Sequence, residues 1–365
     1  MSAVGPASVR PRGLPVVDGS GCTLLPGLID SHVHIEGAAS LRQSLIFGVT
    51  TVFDMFCDFR EAIELRRIAG DPKKEAADFL TSGTLVTAPG GHGTEYGLKI
   101  PTISAPREAD AFVEARISEG SDFIKIVYDD GSAYGRQFPT IDRDTLSAVI
   151  QAAHARGRMA VVHALGLDFA MDALDCSADG LVHLFIDTPP TSAFSHLLSK
   201  DHAFVIPTLT VLENVCGRQG GLALLAESDF GRLLSDASIA NLKAPFRMGK
   251  RASPRYDVPR STIHLLVQNG VPVLAGTDSP NPGTAFGASI HRELELLVDA
   301  GMKPEAALAS ATSVPAEVFR LVDCGRIATG ARADMLMVRG DPTKDIRKTR
   351  QIVGVWRLGR RVHRG

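Results

Sequence analysis

The chain has 365 residues, 44% of them hydrophobic and 22% charged, which is enough apolar material for a large core and an ordinary charge density for a folded protein. Its 39 Lys and Arg stand against 41 Asp and Glu, and the net charge of −2 excludes the basic footprint of a general nucleic-acid binder. Disorder and a collagen repeat are excluded too, no apolar run approaches the ~20 residues of a membrane span, and no membrane partner is expected. The opening MSAVGPASVRPRG lacks the apolar centre of a secretory signal, so the expected compartment is cytoplasmic. Cys22, Cys57, Cys176, Cys216 and Cys324 are odd in number and widely spaced, and read as reduced thiols.

Taken in chain order, eight Val-, Ile- and Phe-rich runs predict strands at 24–35, 50–56, 79–86, 123–129, 159–164, 180–185, 204–209 and 271–278. Between them lie amphipathic segments such as PREADAFVEARISEG and RDTLSAVIQAAHARG, with apolar spacings of three and four and Gly at the far end. Near-continuous apolar strands alternating with helices point to a parallel sheet buried on both faces, and eight is the number that closes a TIM (β/α)8 barrel. An open doubly wound sheet is the alternative, weakened for nucleotide binding because no glycine-rich phosphate loop follows the first strand. The long segment 210–262 is expected to cover the active-site face as a lid. Beyond residue 322 the pattern changes to short strands between Gly, Pro and Asp turns, a small β unit outside the barrel. The seven Lys and Arg of RKTRQIVGVWRLGRRVHRG are broken by apolar residues and read as a solvated strand.

The strongest local signal is Asp30-Ser31-His32-Val33-His34. On a strand, residues i and i+2 share a face, so His32 and His34 converge as a metal pair. His163, His183 and Asp278 fall at or near the ends of later strands, where barrel active sites assemble. Lys125 interrupts FIKIVYD, and alternation puts Phe123, Lys125 and Val127 on one face, inside the barrel. Burial there favours a neutral amine, which can take up carbon dioxide as a carbamate and bridge two ions. A structural ion pair with Asp54 or Asp129 is the equal alternative.

The segments PGLIDSHVH, FIKIVYDDG, AVVHALG, DGLVHLF, LAGTDSPNPGT, HRELELLV, ATSVPAEVF and GRIATGARADMLMVRGDP together resemble the metal-dependent amidohydrolase superfamily, in its imidazolonepropionase-like branch, with a prolidase- or dipeptidase-like binuclear site. The resemblance runs in order over nearly the whole chain. It implies an α/β fold: a distorted TIM (β/α)8 barrel at 24–322, flanked by a small β-sandwich domain made from a remnant at 1–23 and from 323–365. It further implies two divalent metals, zinc by default: His32, His34 and Asp278 on the first, His163 and His183 on the second, and carboxylated Lys125 between them. The metals would lower the pKa of a bridging water, and Asp278 would take its proton and pass it to the leaving amine.

Two further residues are weaker candidates for substrate contact. His92 follows the third strand in a glycine-rich loop, where an exposed loop histidine is equally in keeping. Tyr128 follows the lysine strand, although strict alternation turns it outward. His291 is expected at a helix end, as a cap or in solvent. The implied reaction is hydrolysis of an amide- or peptide-type C–N bond in a small-molecule substrate, with a dipeptide or N-acyl amino acid as the first expectation. Lactone, ester or phosphotriester hydrolysis is the alternative on the same site. Further alternatives are a mononuclear deaminase or cyclic imidate hydrolase and, last, a binding protein without catalysis. A homo-oligomer is the default assembly. Only 25 residues precede Pro26, so the small domain is expected to lack its first strands, through an internal start or a natural abbreviation, and to expose a sheet edge.

Overall fold

The first apolar run is two strands, not one: β1 (Cys22–Pro26) and β2 (Leu28–Val33) are parted at Gly27. A Cβ on Gly27 would lie 2.1 Å from the Thr50 hydroxyl oxygen, so only glycine lets the chain turn against β3 (Val49–Asp54). The computed structural model describes residues 1–6, 13, 15–200, 203–249 and 253–365. The remaining barrel strands are β4 (Asp78–Thr81), β5 (Ile124–Val127), β6 (Ala160–His163), β7 (Gly180–Val182) and β8 (Phe204–Ile206). β9 (Met335–Arg339), β10 (Ile352–Arg357) and β11 (Arg360–Arg361) follow near the chain end.

Two parallel ladders, β2-β3-β4 and β5-β6-β7-β8, carry most of the barrel. Single parallel bridges span the remaining gaps, Val86 to Ile126, Val205 to Val273 and Ser279 to Val33. The eighth staff is therefore the segment 271–279, which pairs with β8 through Leu274 N to Val205 O (2.9 Å) and with β2 through Ser31 N to Ala275 O (2.9 Å). Closure by isolated bridges instead of continuous ladders is what distorts this TIM barrel.

The amphipathic segments fold as the helices Ala109–Ser118 and Arg143–Ala155, the second capped by Asp142, which accepts from Thr145 N at 2.8 Å. The small unit is one antiparallel sheet in the order β1-β9-β10-β11, so residues from both ends of the chain meet in it. Arg332 ties that sheet to the barrel, with Asp78 at 2.5 Å and Asp334 at 2.8 Å.

The lower half of the barrel interior is a dry apolar layer. Ile29, Phe53, Phe123, Val161, Phe204 and Leu274 fill it from successive strands. Phe319, just past the helix Ser313–Val318, plugs it from below, its ring centroid 4.2 Å from Phe53, 5.4 Å from Phe123 and 5.7 Å from Phe204. Above that layer the inward side chains become polar.

The segment between β8 and the eighth staff holds the helices Leu209–Val215, Asp236–Lys243 and Asp257–Gln268. Glu293, on the helix Ala288–Asp299, fastens the first of these by accepting from Leu209 N (2.9 Å), Thr210 N (2.8 Å) and Thr210 Oγ1 (2.7 Å). Asn241 holds the second by donating to the carbonyls of Pro280, Asn281 and Thr284 at 2.6–2.9 Å. Val211, Leu212, Val215 and Phe246 of this segment stand over the barrel mouth.

Candidate active site

Three backbone devices deliver the polar side chains to one place. Regular alternation suffices for Lys125 and His163: Phe123 and Val161 lie in the apolar layer, and two residues further along each strand faces the mouth. β2 needs a bulge. Ile29 points into the layer, so unbroken alternation would turn His32 and His34 outward. The register with β3 slips between Asp30 and Val33, inserting one residue and reversing the parity. His32 O then accepts from both Thr277 N (3.2 Å) and Asp278 N (2.8 Å).

His183 uses a left-handed residue. Val182 lies in the apolar layer, and the φ of 68° at His183 swings the next side chain back to the mouth. Asp278 has φ 58°. Such conformations cost about 1–3 kcal/mol each and persist where the surroundings over-determine them. Here His183 N donates to Ile206 O at 2.9 Å and Asp278 N to His32 O.

The cluster is tight. Asp278 Oδ1 lies 3.2 Å from His32 Nε2 and 3.1 Å from His34 Nε2, and the two imidazole nitrogens are 3.2 Å apart. Nitrogen and oxygen donors on a tetrahedral zinc at its usual bond lengths are separated by about 3.3 Å, so these three atoms already have the spacing of one coordination edge set. Ligand atoms of His32, His183 and Asp278 also fall within 4.8 Å of one another. The His183 ring stands 4.9 Å from that of His32 and 4.7 Å from that of His163. His183 Nδ1 is held by Thr208 Oγ1 at 2.7 Å, which leaves its Nε2 for the cluster, and His163 Nε2 is buried without a partner. A buried imidazole nitrogen without a partner, beside further imidazoles and a carboxylate, is the donor chemistry of a cation site.

The charge states suit ligation. Burial, helped by the Lys125 charge, lowers His32 to about 3, and burial with neighbouring imidazoles holds His163 well below the ordinary value; burial does the same to His183. All three keep a free lone pair at neutral pH. Burial alone would raise Asp278, but the facing His32 and His34 outweigh it and keep the carboxylate ionised. Burial brings Lys125 down to about 7, against the pull of Asp278 and Asp54.

The ion-pair alternative for Lys125 finds no support. Among the described residues it makes no ion pair within 4 Å. Asp54 instead accepts from Thr81 Oγ1 (2.6 Å) and Ile35 N (2.8 Å), and Asp129 from Gly131 N (2.6 Å) and Leu165 N (2.5 Å).

A cavity of about 80 Å³ joins these residues. His32, His34, Lys125, His163, His183 and Asp278 all line it, as does His92, whose ring is 5.0 Å from His163 and whose Nδ1 meets Glu95 at 2.6 Å. Tyr128 is not brought there. Alternation after Val127 turns it outward, and its hydroxyl donates to Asp172 at 3.0 Å, so the substrate contact expected of it gives way to a strand-to-helix hydrogen bond. His291 is neither a cap nor exposed: it is buried, with Nε2 2.9 Å from Phe47 O. Tyr134, Phe246 and Asn281 line the cavity without a signal in the sequence, apart from the turn-forming DDGSAYG around the tyrosine.

The chain resembles known proteins in sequence and in fold. The model of the Amidohydrolase family matches residues 230–362, a stretch that contains Asp278 and the closing barrel staff. The imidazolonepropionase of Streptomyces avermitilis is 26% identical over 396 residues, covering 98% of this chain and 84% of its own. The chain is thus similar over nearly its whole length to imidazolonepropionases, and its residues 230–362 match the Amidohydrolase family. These likenesses support a hydrolase acting on C–N bonds of small molecules, in a family that generally uses metal ions. Solved structures share its fold. A Xaa-Pro dipeptidase with bound methionine has a TM-score of 0.72 at 23% identity, over 94% of this chain and 87% of that one. Phenylurea hydrolase B has a TM-score of 0.73 at 19% identity, over 98% and 89%. No helix among the described residues is long and apolar enough to cross a membrane.

Proposed function

We propose that this protein cleaves an amide- or peptide-type C–N bond with a binuclear centre. His32, His34 and Asp278 would hold one divalent ion, His163 and His183 the other, with Lys125 as a carbamate between them. The observation that carries this reading is Lys125 itself: a buried amine without an ion pair, brought down to about 7 by burial, lining one cavity with five metal-type ligands. Zinc fits a donor set of imidazoles and carboxylates. Such ions supply Lewis acidity to the scissile carbonyl and make the attacking water acidic.

The protein's own groups do the rest. The Asp278 carboxylate takes the proton of the attacking water and delivers it to the departing amine nitrogen, and its ionised state at neutral pH is maintained by His32 and His34. Thr208 Oγ1 would accept from Nδ1–H of His183, the tautomer that leaves the Nε2 lone pair free for an ion. His92, braced by Glu95, sits where a substrate group would pass on its way to the ions. A dipeptide or N-acyl amino acid is the first substrate class, in keeping with the Xaa-Pro dipeptidase among the structural neighbours.

A second reading, a mononuclear site acting on a cyclic C–N bond, is favoured by the imidazolonepropionase relatives and by the compact group of His32, His183 and Asp278. Labelling with 13C-bicarbonate separates the two. The binuclear reading expects a carbamate carbon resonance in the metal-loaded protein that is absent from Lys125→Ala, together with C–N hydrolysis lost to a chelator and restored by zinc. A metal-dependent enzyme with no carbamate resonance supports the mononuclear site.

A further inference from the structure

The cavity has two chemically distinct halves. Its floor is the ligand cluster. Its upper wall is apolar, built from Phe56, Leu85, Leu165, Val211, Val215 and Phe246. Among the described residues the lining contains no arginine, and its one lysine is Lys125, at the floor. A carboxylate or ammonium laid against those apolar side chains would lose water without meeting an opposite charge.

His92, Tyr96, Tyr134 and Asn281 add polar groups to the lining, and one buried polar atom among them is left over, that of Tyr134. Tyr134 lines the cavity, is buried, and its hydroxyl has no hydrogen-bond partner, a state that native proteins rarely leave unexplained. Its position is fixed from both sides of the mouth. The Asp129 carboxylate pins the turn that carries it by accepting from Gly131 N and from Leu165 N. Gly249, past Phe246 on the opposing loop, donates to Tyr134 O at 3.1 Å, and a Cβ on Gly249 would lie 1.7 Å from Gly135 O. The loops that carry Tyr134 and Phe246 are thus tied together at the cavity.

We infer that the substrate presents an uncharged apolar group, aromatic or branched, to this upper wall, and that the Tyr134 hydroxyl donates to a neutral acceptor of the substrate, its amide carbonyl. The inference rests on the C–N hydrolase reading above and narrows it. Within the dipeptide and N-acyl amino-acid class it selects apolar side chains, and it extends the class to neutral amides that have no carboxylate.

The test uses the full-length, zinc-loaded enzyme and two matched sets of amides. One set varies the acyl group over phenylacetyl, isovaleryl, succinyl and 4-aminobutyryl with a common leaving amine. The other varies the amine in the same way with a common acyl group. In at least one set the apolar members should exceed the charged ones in kcat/KM by about 100-fold, the discrimination a dry apolar wall provides. Equal or better turnover of charged members in both sets overturns the inference while leaving C–N hydrolysis in place. Hydrolysis of lactones or phosphotriesters with none of the amides would instead sink the underlying reading. Calorimetric binding of unreactive ketone isosteres of the same compounds then still reads the wall, and tighter binding of the charged isosteres counts against it. Tyr134→Phe should lower kcat/KM for the apolar amides about tenfold, the worth of one neutral hydrogen bond, with a melting temperature unchanged or raised. A lowered melting temperature with unchanged kcat/KM would show the hydroxyl to be structural and contradict its role as the anchor.

Discussion

The floor and the mouth of the barrel are built by the same strands and obey opposite rules. At the floor, inward positions are Ile, Val, Leu and Phe packed in one apolar cluster, and Phe319 closes the bottom with three aromatic contacts. At the mouth, His32 Nδ1, His34 Nδ1, His163 Nε2 and the Tyr134 hydroxyl are buried without partners, and His183, Thr208 and Asp278 carry left-handed backbone. The floor contributes stability and takes no part in the chemistry. The mouth is held in an unfavourable arrangement by the floor beneath it, which is the division expected of a preorganised site.

That division is breakable by substitution. Lys125→Ala should abolish hydrolysis while leaving the metal-free protein at least as stable, since it removes a buried unpaired amine. Short carboxylic acids should restore part of the activity by supplying the missing oxygens, and unchanged turnover in the variant would show the lysine to be structural. Asp278→Asn should lower kcat by about 10²–10⁴ with substrate binding little changed, because proton transfer is lost and the cavity is not. A pure KM effect would contradict the proton-transfer role.

Phe319→Ala tests the other half. A buried aromatic of this kind costs about 3–5 kcal/mol on truncation, visible as a lower midpoint in urea, while kcat of the folded, metal-loaded fraction should stay within a few-fold. A selective loss of kcat at unchanged stability would erase the distinction between floor and mouth.

How far the site was legible in the sequence follows from the same contrast. The floor and the two ligands delivered by plain alternation, Lys125 and His163, could be read from period-two patterning and the order of the eight runs. The HxH spacing identified His32 and His34 as a pair. That the pair faces the interior depends on a bulge in β2, which apolar periodicity does not encode. His183 reaches the mouth only through a φ of 68°, and no residue type announced it. The eighth run is paired by single bridges around Gly276 and Asp278, not as the regular strand that its apolar pattern predicts. Tyr134, Phe246 and His291 depend on loop and helix packing over long sequence separations. His291 looked like a helix-end residue and is a core donor to Phe47, because the helix it begins is buried on nearly every side.

A smaller effect sharpens the comparison from outside the cluster. Burial raises Glu293 to about 8, although its three hydrogen bonds pull the other way. A carboxyl whose folded pKa exceeds its unfolded value near 4 binds more protons in the folded state between those limits. Its contribution is therefore full below about pH 4 and is lost progressively as pH rises towards 8. Glu293→Gln should flatten that decline in urea midpoints measured across this range, and an unaltered slope would show that the group titrates normally.

Metal content per chain tests the central claim most directly. Purified enzyme reconstituted with zinc and bicarbonate, freed of loose metal and analysed by plasma mass spectrometry, should hold two ions per chain, falling to one or none in Lys125→Ala. One tightly bound ion per chain in the wild type, with the same content in the variant, would contradict the binuclear account.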